Sequence, residues 1–280
     1  MHHTTFSTSN EHSLFIDKSG CVWAFGSNSY GQLGLGDTRM RTEPCVINHI
    51  PQIVSVHAGL QATFLIDVDG MLWVCGRNHY GQLGTDDNHN RFSPVAIPDL
   101  PKIQAVSYSN QSCHTVLLDI DGNVWTSGCN ARGELGTGDT INRKKFSTIN
   151  LLPKIHLIQT DEHYTIFVDC DGNIWATGYN TKGQLGVGDT KNRFKPQKIK
   201  KIPPVEIHQP LQKIEEKAVN KIVEQEVEVS AGGKKGRKSP FALTNFGNEA
   251  AYDSFHEILD EAQKLGVCDL VMDLIDIYID

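Results

Sequence analysis

Outside one recurring phrase this chain has no tryptophan at all. It also lacks any apolar run long enough to cross a membrane, and Met1–Thr5 has no signal-peptide pattern, so no membrane association is expected. Its seven cysteines include no Cys-x-x-Cys pair. Cys21, Cys75, Cys129 and Cys170 fall inside or beside apolar runs at unmatched positions, which reads as reduced packing thiols of a cytoplasmic or nuclear protein. There is no nucleophile elbow, no phosphate loop and no His-Glu-x-x-His, so no catalytic residue, metal or cofactor is expected and the chain does not read as an enzyme. Charge of one sign is missing from most of the chain. Residues 1–204 balance 18 Lys/Arg against 18 Asp/Glu, and the net charge of −7 comes wholly from residues 205–280. That balance argues against direct nucleic-acid binding by the first 204 residues.

What is present is repetition. Trp23, Trp73, Trp125 and Trp175 stand 50, 52 and 50 residues apart. Each sits in the frame Asp17-Lys-Ser-Gly20-Cys-Val-Trp23-Ala-Phe-Gly26-Ser-Asn28-Ser-Tyr-Gly31-Gln-Leu-Gly34, with later copies at Asp67–Gly84, Asp119–Gly136 and Asp169–Gly186. Gly34, Gly84, Gly136 and Gly186 are each followed by a proline 17 residues on. A fixed period of this size means stacked supersecondary units. Within one unit, Ile53–Val56 and Thr63–Ile66 read as strands, Asp69-Gly70 as a hairpin turn, Leu72–Val74 as the returning strand and Phe92–Ile97 as an edge strand that tolerates Pro94. Four strands per repeat and no helix give an all-β fold of propeller-type blades over residues 5–208.

The phrase lacks the Gly-Gly doublet of kelch repeats and the Trp-Asp dipeptide of WD repeats. Asp-x-x-Gly-x-aliphatic-Trp-x-x-Gly-x-Asn-x-x-Gly-Gln/Glu-Leu-Gly, continued by Gly34-Leu-Gly36-Asp37-Thr38 and its counterparts, resembles the repeat of the regulator of chromosome condensation family. The resemblance implies a β-propeller that binds other proteins. It also implies two alternatives: a guanine-nucleotide exchange factor for a Ran-like small GTPase, or a proteinaceous enzyme inhibitor. Family propellers close with about seven blades, so four copies make an arc or incomplete ring the expectation. Family exchange factors also use a β-wedge, and the one irregularity in repeat length here is two residues near Ser109–Gln111. Pro203–His208 resembles the opening strand of a fifth unit.

The remaining chain reads as a small α-helical tail. Residues 209–229 form a short helix with Leu211, Ile214, Ala218 and Ile222 on one stripe, and residues 230–249 a flexible basic linker. Residues 250–280 form an acidic helical pair that caps the blades or docks a partner. Lys234, Lys235, Arg237 and Lys238 form a candidate nuclear import signal.

Recurring polar residues have structural readings. The Asp67-Val-Asp69-Gly70 type puts glycine too early for an EF-hand loop and reads as a turn. Asp37/Arg41, Asp87/Arg91, Asp139/Arg143 and Asp189/Arg193 read as local ion pairs, or as carbonyl clamps tying each loop to the next blade. His12, His114 and Tyr164 share a position where the second copy has Ala62, which breaks any ring of metal ligands. The resemblance implies a structural His–Ser/Thr pair there, near the hub. Function is expected where copies differ at one exposed position. Tyr30, Tyr80, Arg132 and Lys182 occupy such a position and are the candidate partner-binding residues, since Tyr and Arg dominate binding hot spots.

Overall fold

The structure is a computed structural model, and it describes residues 5–108, 113–205 and 207. The helices, basic linker and import signal read into residues 209–280, including Lys234, Lys235, Arg237 and Lys238, lie outside the described residues.

Four antiparallel sheets follow one another along the chain, each a meander of four strands. The first blade holds β1 (Phe6–Thr8), β2 (His12–Ile16), β3 (Val22–Gly26) and β4 (Arg41–Val46). The second holds β5 (Ile53–Ala58), β6 (Ala62–Asp67), β7 (Leu72–Gly76) and β8 (Arg91–Ala96). The third holds β9 (Ile103–Ser107), β10 (His114–Asp119), β11 (Val124–Gly128) and β12 (Arg143–Thr148). The fourth holds β13 (Ile155–Thr160), β14 (Tyr164–Asp169), β15 (Ile174–Gly178) and β16 (Arg193–Lys198). No helix occurs among the described residues, and none there could cross a membrane. Pro94 lies in β8, the outermost strand of its sheet, where the missing N–H breaks no ladder.

The apolar runs cover both faces of the second strand because the core sits between blades. Leu14, Val22 and Leu33 of the first blade pack with Ile53, Val56 and Leu65 of the second. Phe64, Leu72 and Leu83 continue to Leu117 and Phe146 of the third, and Val116, Leu118 and Val124 to Ile155 and Phe167 of the fourth. β6 and β10 are accordingly buried at every residue. The fourth blade ends the described series with a cluster of only Ala176, Leu185 and Ile199.

All four tryptophans are half-buried. The indole N–H explains this, because a buried Trp must place it on an acceptor. In each blade that acceptor is the Asp of the hairpin turn. Trp23 Nε1 donates to Asp17 at 2.7 Å, and Trp73, Trp125 and Trp175 donate to Asp67, Asp119 and Asp169 at 2.9, 3.0 and 2.9 Å. The other carboxylate oxygen accepts two backbone N–H groups of the turn, from Asp121 and Asn123 in the third blade. One side chain therefore closes the turn and pins the indole at the blade's edge. Hydrogen bonds from the Ser19 hydroxyl and the Trp23 indole hold the Asp17 carboxyl down at about 2. Replacing Trp125 by Ala is expected to cost about 2 kcal/mol, for a half-buried ring and one hydrogen bond to a carboxylate. Urea denaturation reads this as a lower midpoint, and a midpoint unchanged within error would remove the indole's structural role.

The opening of a fifth unit is visible in one bond. Val205 N donates to Gly172 O at 2.9 Å, the bond that Ile103 makes to Gly70 and Ile155 to Gly122 at the start of β9 and β13.

Candidate functional site

The glycine-rich loops are held in shape by a buried asparagine. Asn28, Asn78, Asn130 and Asn180 each accept the backbone N–H of a leucine five residues on. Each also donates its amide to the carbonyl of the loop's aspartate, Asp37, Asp87, Asp139 or Asp189. The Asp/Arg pairs are local ion pairs within these loops, the first of the two sequence readings, and their guanidinium groups bond to their own loop rather than to the next blade. Arg41 NH2 meets Asp37 at 2.8 Å while its NH1 donates to Arg39 O at 2.6 Å, and Arg91, Arg143 and Arg193 repeat the arrangement. A residue four positions from its partner, at the start of the outer strand, folds back on its own loop. The Arg41 guanidinium holds the Asp37 carboxyl well below the usual carboxylate range. The arginines are thus spent on loop geometry, and no ring of free guanidinium groups faces a partner.

His12 and His114 lie buried at the blade junctions. His12 Nε2 is 2.9 Å from Thr63 Oγ1, and His114 Nε2 is 3.0 Å from Thr165 Oγ1. Each threonine spends its one proton on the preceding blade's loop, Thr63 on Gln32 O and Thr165 on Glu134 O. The histidines must therefore donate, which fixes the neutral Nε2–H tautomer. Among the described residues no group of three or more His, Cys, Asp or Glu could hold a metal ion.

The four candidate contact residues share one anchor. The backbone N–H of Tyr30, Tyr80, Arg132 and Lys182 donates to the side-chain oxygen of the Gln or Glu two residues on, at 2.8–3.0 Å. Their side chains gather in two groups. Arg77 stands 5.4 Å from the Tyr30 ring centroid and 5.9 Å from that of Tyr80, and His79 meets Tyr30 edge-on at 5.6 Å. Arg132 stacks on Tyr179 at 4.3 Å. Tyr179 has its hydroxyl pKa lowered by the Thr181 side chain and by the charges of Arg132 and Lys182.

Arg77 and Tyr179 were not among the residues singled out from the sequence. They occupy one repeat position, directly after the last glycine of the third strand, which reads Ser27, Arg77, Cys129 and Tyr179. Each donates its backbone N–H to the residue before the second strand, namely Glu11, Gln61, Cys113 and His163. Side chains of these cross-strand pairs touch, as where Arg77 donates to Gln61 at 3.0 Å and Gln61 to Glu11 at 3.1 Å. His163 approaches Tyr179 at 6.1 Å, Glu162 at 3.2 Å and Glu134 at 3.7 Å. Cys113 and Cys129 lie between the two groups. Burial raises both thiols, opposed at Cys113 by Arg77 on one side and reinforced by Glu134 and Glu162 on the other. Among the described cysteines Cys75 alone is buried, whereas Cys21 and Cys170 are exposed. These groups are built from loop positions whose residues vary along the series, Tyr recurring at Tyr30 and Tyr80.

The regulator of chromosome condensation (RCC1) repeat model matches residues 19–66, 69–118 and 171–209, and a second model of the same repeat matches residues 4–32 and 53–82. The chain belongs to the regulator of chromosome condensation repeat family. Neither model matches residues 119–170, yet that stretch holds β11 and β12 of the third blade and β13 and β14 of the fourth, with the same Asp–Trp bond as in the other blades. A curated relative, the Homo sapiens protein described as probable E3 ubiquitin-protein ligase HERC3, is 31% identical over 136 residues, which is 48% of this chain and 13% of that protein. Among solved structures, Prp20p of Saccharomyces cerevisiae superposes with a TM-score of 0.62 at 21% identity, over 70% of this chain and 50% of that one. Human WBSCR16 does so with a TM-score of 0.61 at 19% identity, over 73% and 55%. The chain thus spans about half the length of these solved chains and a small part of the ligase. At these identities the structural likeness carries the fold alone.

Proposed function

We propose that this chain is a non-catalytic interaction propeller that binds another protein through its blade-loop face. The observation that carries this reading is the Arg77 cluster. A guanidinium held against two tyrosine rings, in loops whose other residues are fixed by buried asparagines, is a preorganised anchor of the kind that dominates binding energy. Tyr30, Tyr80, Arg132 and Lys182 present the variable side chains around it, and cytoplasm or nucleus is the compartment in which the face would work.

The second reading is exchange on a Ran-like small GTPase. The description of the Prp20p structure, which names binding to Gsp1p and histones, favours a GTPase as the partner to try first. An exchange factor binds the nucleotide-free GTPase far more tightly than the loaded form, whereas an adaptor does not. The experiment mixes the full chain with Ran-like, Rab-like and Rho-like GTPases loaded with a fluorescent GDP analogue, then adds excess unlabelled nucleotide. Binding without faster release is expected, together with at least about 30-fold weaker binding for Arg77→Ala. Acceleration abolished by joint replacement of Tyr30, Tyr80, Arg132 and Lys182 would establish the exchange reading instead. Binding indifferent to all five residues would remove this face from the function.

A further inference from the structure

Three blade junctions in this molecule are built alike. The loop of one blade receives the outer strand of the next: Gly36 N donates to Phe92 O at 2.9 Å, Asp86 N to Lys144 O at 2.8 Å and Gly138 N to Phe194 O at 2.7 Å. Deeper in, Thr63, Thr115 and Thr165 donate to Gln32 O, Gln82 O and Glu134 O. The fit leaves no room, since a Cβ on Gly31, Gly81 or Gly133 would lie 2.6 Å from a backbone atom of the following blade's outer strand.

Both halves of this junction occur once more without a counterpart among the described residues. On the fourth blade, Gly183 and Gly188 have nothing within 4 Å of an added Cβ, and Gly186 meets only Ile199 of its own blade. Gly188 N and Gln184 O make none of the bonds that their counterparts make. Gln184 is half-buried and Gly186 exposed, where the three earlier copies are buried. On the first blade, β4 aligns Thr42 with Phe92, Lys144 and Phe194 through the shared Gly26–Arg41 register, and Thr42, Glu43 and Pro44 are exposed. Ser13 stands where Thr63, Thr115 and Thr165 supply the hydroxyl.

Charge supports the match. The second junction carries an ion pair, Lys145 to Asp99 at 2.6 Å. At the unmatched ends, the place of Asp99 is taken by Lys201 and the place of Lys145 by Glu43, both exposed, so the pair recurs with its signs exchanged.

We propose that the fourth-blade loop, Gln184–Gly188, docks the first-blade edge, β4 with Ser13, of a second copy of this chain. Gly188 N then meets Thr42 O, Gln184 O receives the Ser13 hydroxyl and Lys201 pairs with Glu43. The contact is head-to-tail, so two copies close on each other or the series continues.

Sedimentation velocity of the full chain from 1 to 100 μM tests this, with those concentrations chosen as an order-of-magnitude range (~μM) for a single interface. The wild type is expected to sediment as two or more copies. Gly183→Ala, which puts a methyl group against the docking strand, is expected to give a monomer with unchanged far-UV circular dichroism. Lys201→Glu or Glu43→Lys alone is expected to weaken association about tenfold, and the two together in one chain to restore it. A wild type that is monomeric throughout, or an assembly indifferent to all of these variants, would overturn the proposal.

Discussion

Gly81→Ala is expected to cost about 4 kcal/mol, whereas Gly183→Ala, the same change at the same repeat position, is expected to cost about 1 kcal/mol in dilute protein. Both glycines have positive φ, +80° and +74°, so the strain of placing an L-residue there is common to the pair. The difference lies in the surroundings. A Cβ on Gly81 would stand 2.6 Å from Lys144 Cα and 2.8 Å from Arg143 O, and neither backbone atom can move without pulling β12 out of its seat. A Cβ on Gly183 meets no atom of the described residues within 4 Å. Chemical denaturation of the two variants beside the wild type reads the contrast directly. Equal losses would mean that the blade junction is looser than its distances state. The same pair separates folding from association, since Gly183→Ala is mild for one and severe for the other.

Stability is expected to fall by about 6 kcal/mol between pH 7 and pH 5, with His12, His57 and His114 each contributing about 2 kcal/mol. Burial lowers His12 and His57 to about 4 and His114 to about 3, so all three are neutral in the folded protein at pH 5. In the unfolded chain an ordinary histidine takes up a proton as pH falls through 6.5. The unfolded state therefore binds more protons across this window, and protonation favours unfolding. This stability is fully present above the unfolded value and is lost on acidification towards the folded one. The paired carboxylates add no slope here, because their values are lowered and they stay ionised down to pH 5. Urea titrations at pH 7, 6 and 5 measure the slope, and His114→Gln is expected to remove about a third of it. A flat profile would mean that these histidines are not held neutral.

The blades were legible because their signals are local. Asp69-Gly70 closes a hairpin between neighbouring runs, and Trp73 pairs across that hairpin with Leu65. The lengths were read short, as with Ile53–Val56 for a strand that extends to Ala58, because the polar residue His57 interrupts the apolar run. The loop asparagines stood in the repeated frame, yet a buried Asn among glycines has the composition of an ordinary turn. Its bonds to Leu33 N and Asp37 O emerge only when the loop is closed. Asking where copies differ singled out Tyr30, Tyr80, Arg132 and Lys182 as candidates. Arg77 and Tyr179 answer the same question three residues earlier in the repeat. Their partners Tyr30 and Arg132 lie 47 residues away in the sequence, a separation that no window of hydrophobic pattern spans.

The seating of every loop by a strand from the following repeat has a consequence for how such a chain can change length. Gly36 meets Phe92, Asp86 meets Lys144 and Gly138 meets Phe194 across near-equal stretches of sequence, with one junction geometry throughout. An excision that joins the end of one blade to the start of the blade after next re-creates a junction already present. Loss of a few residues within β6 or β10 instead turns buried side chains outward and unseats two neighbours at once. Whole-unit duplication and whole-unit loss are thus the changes that this architecture absorbs without inventing a new interface.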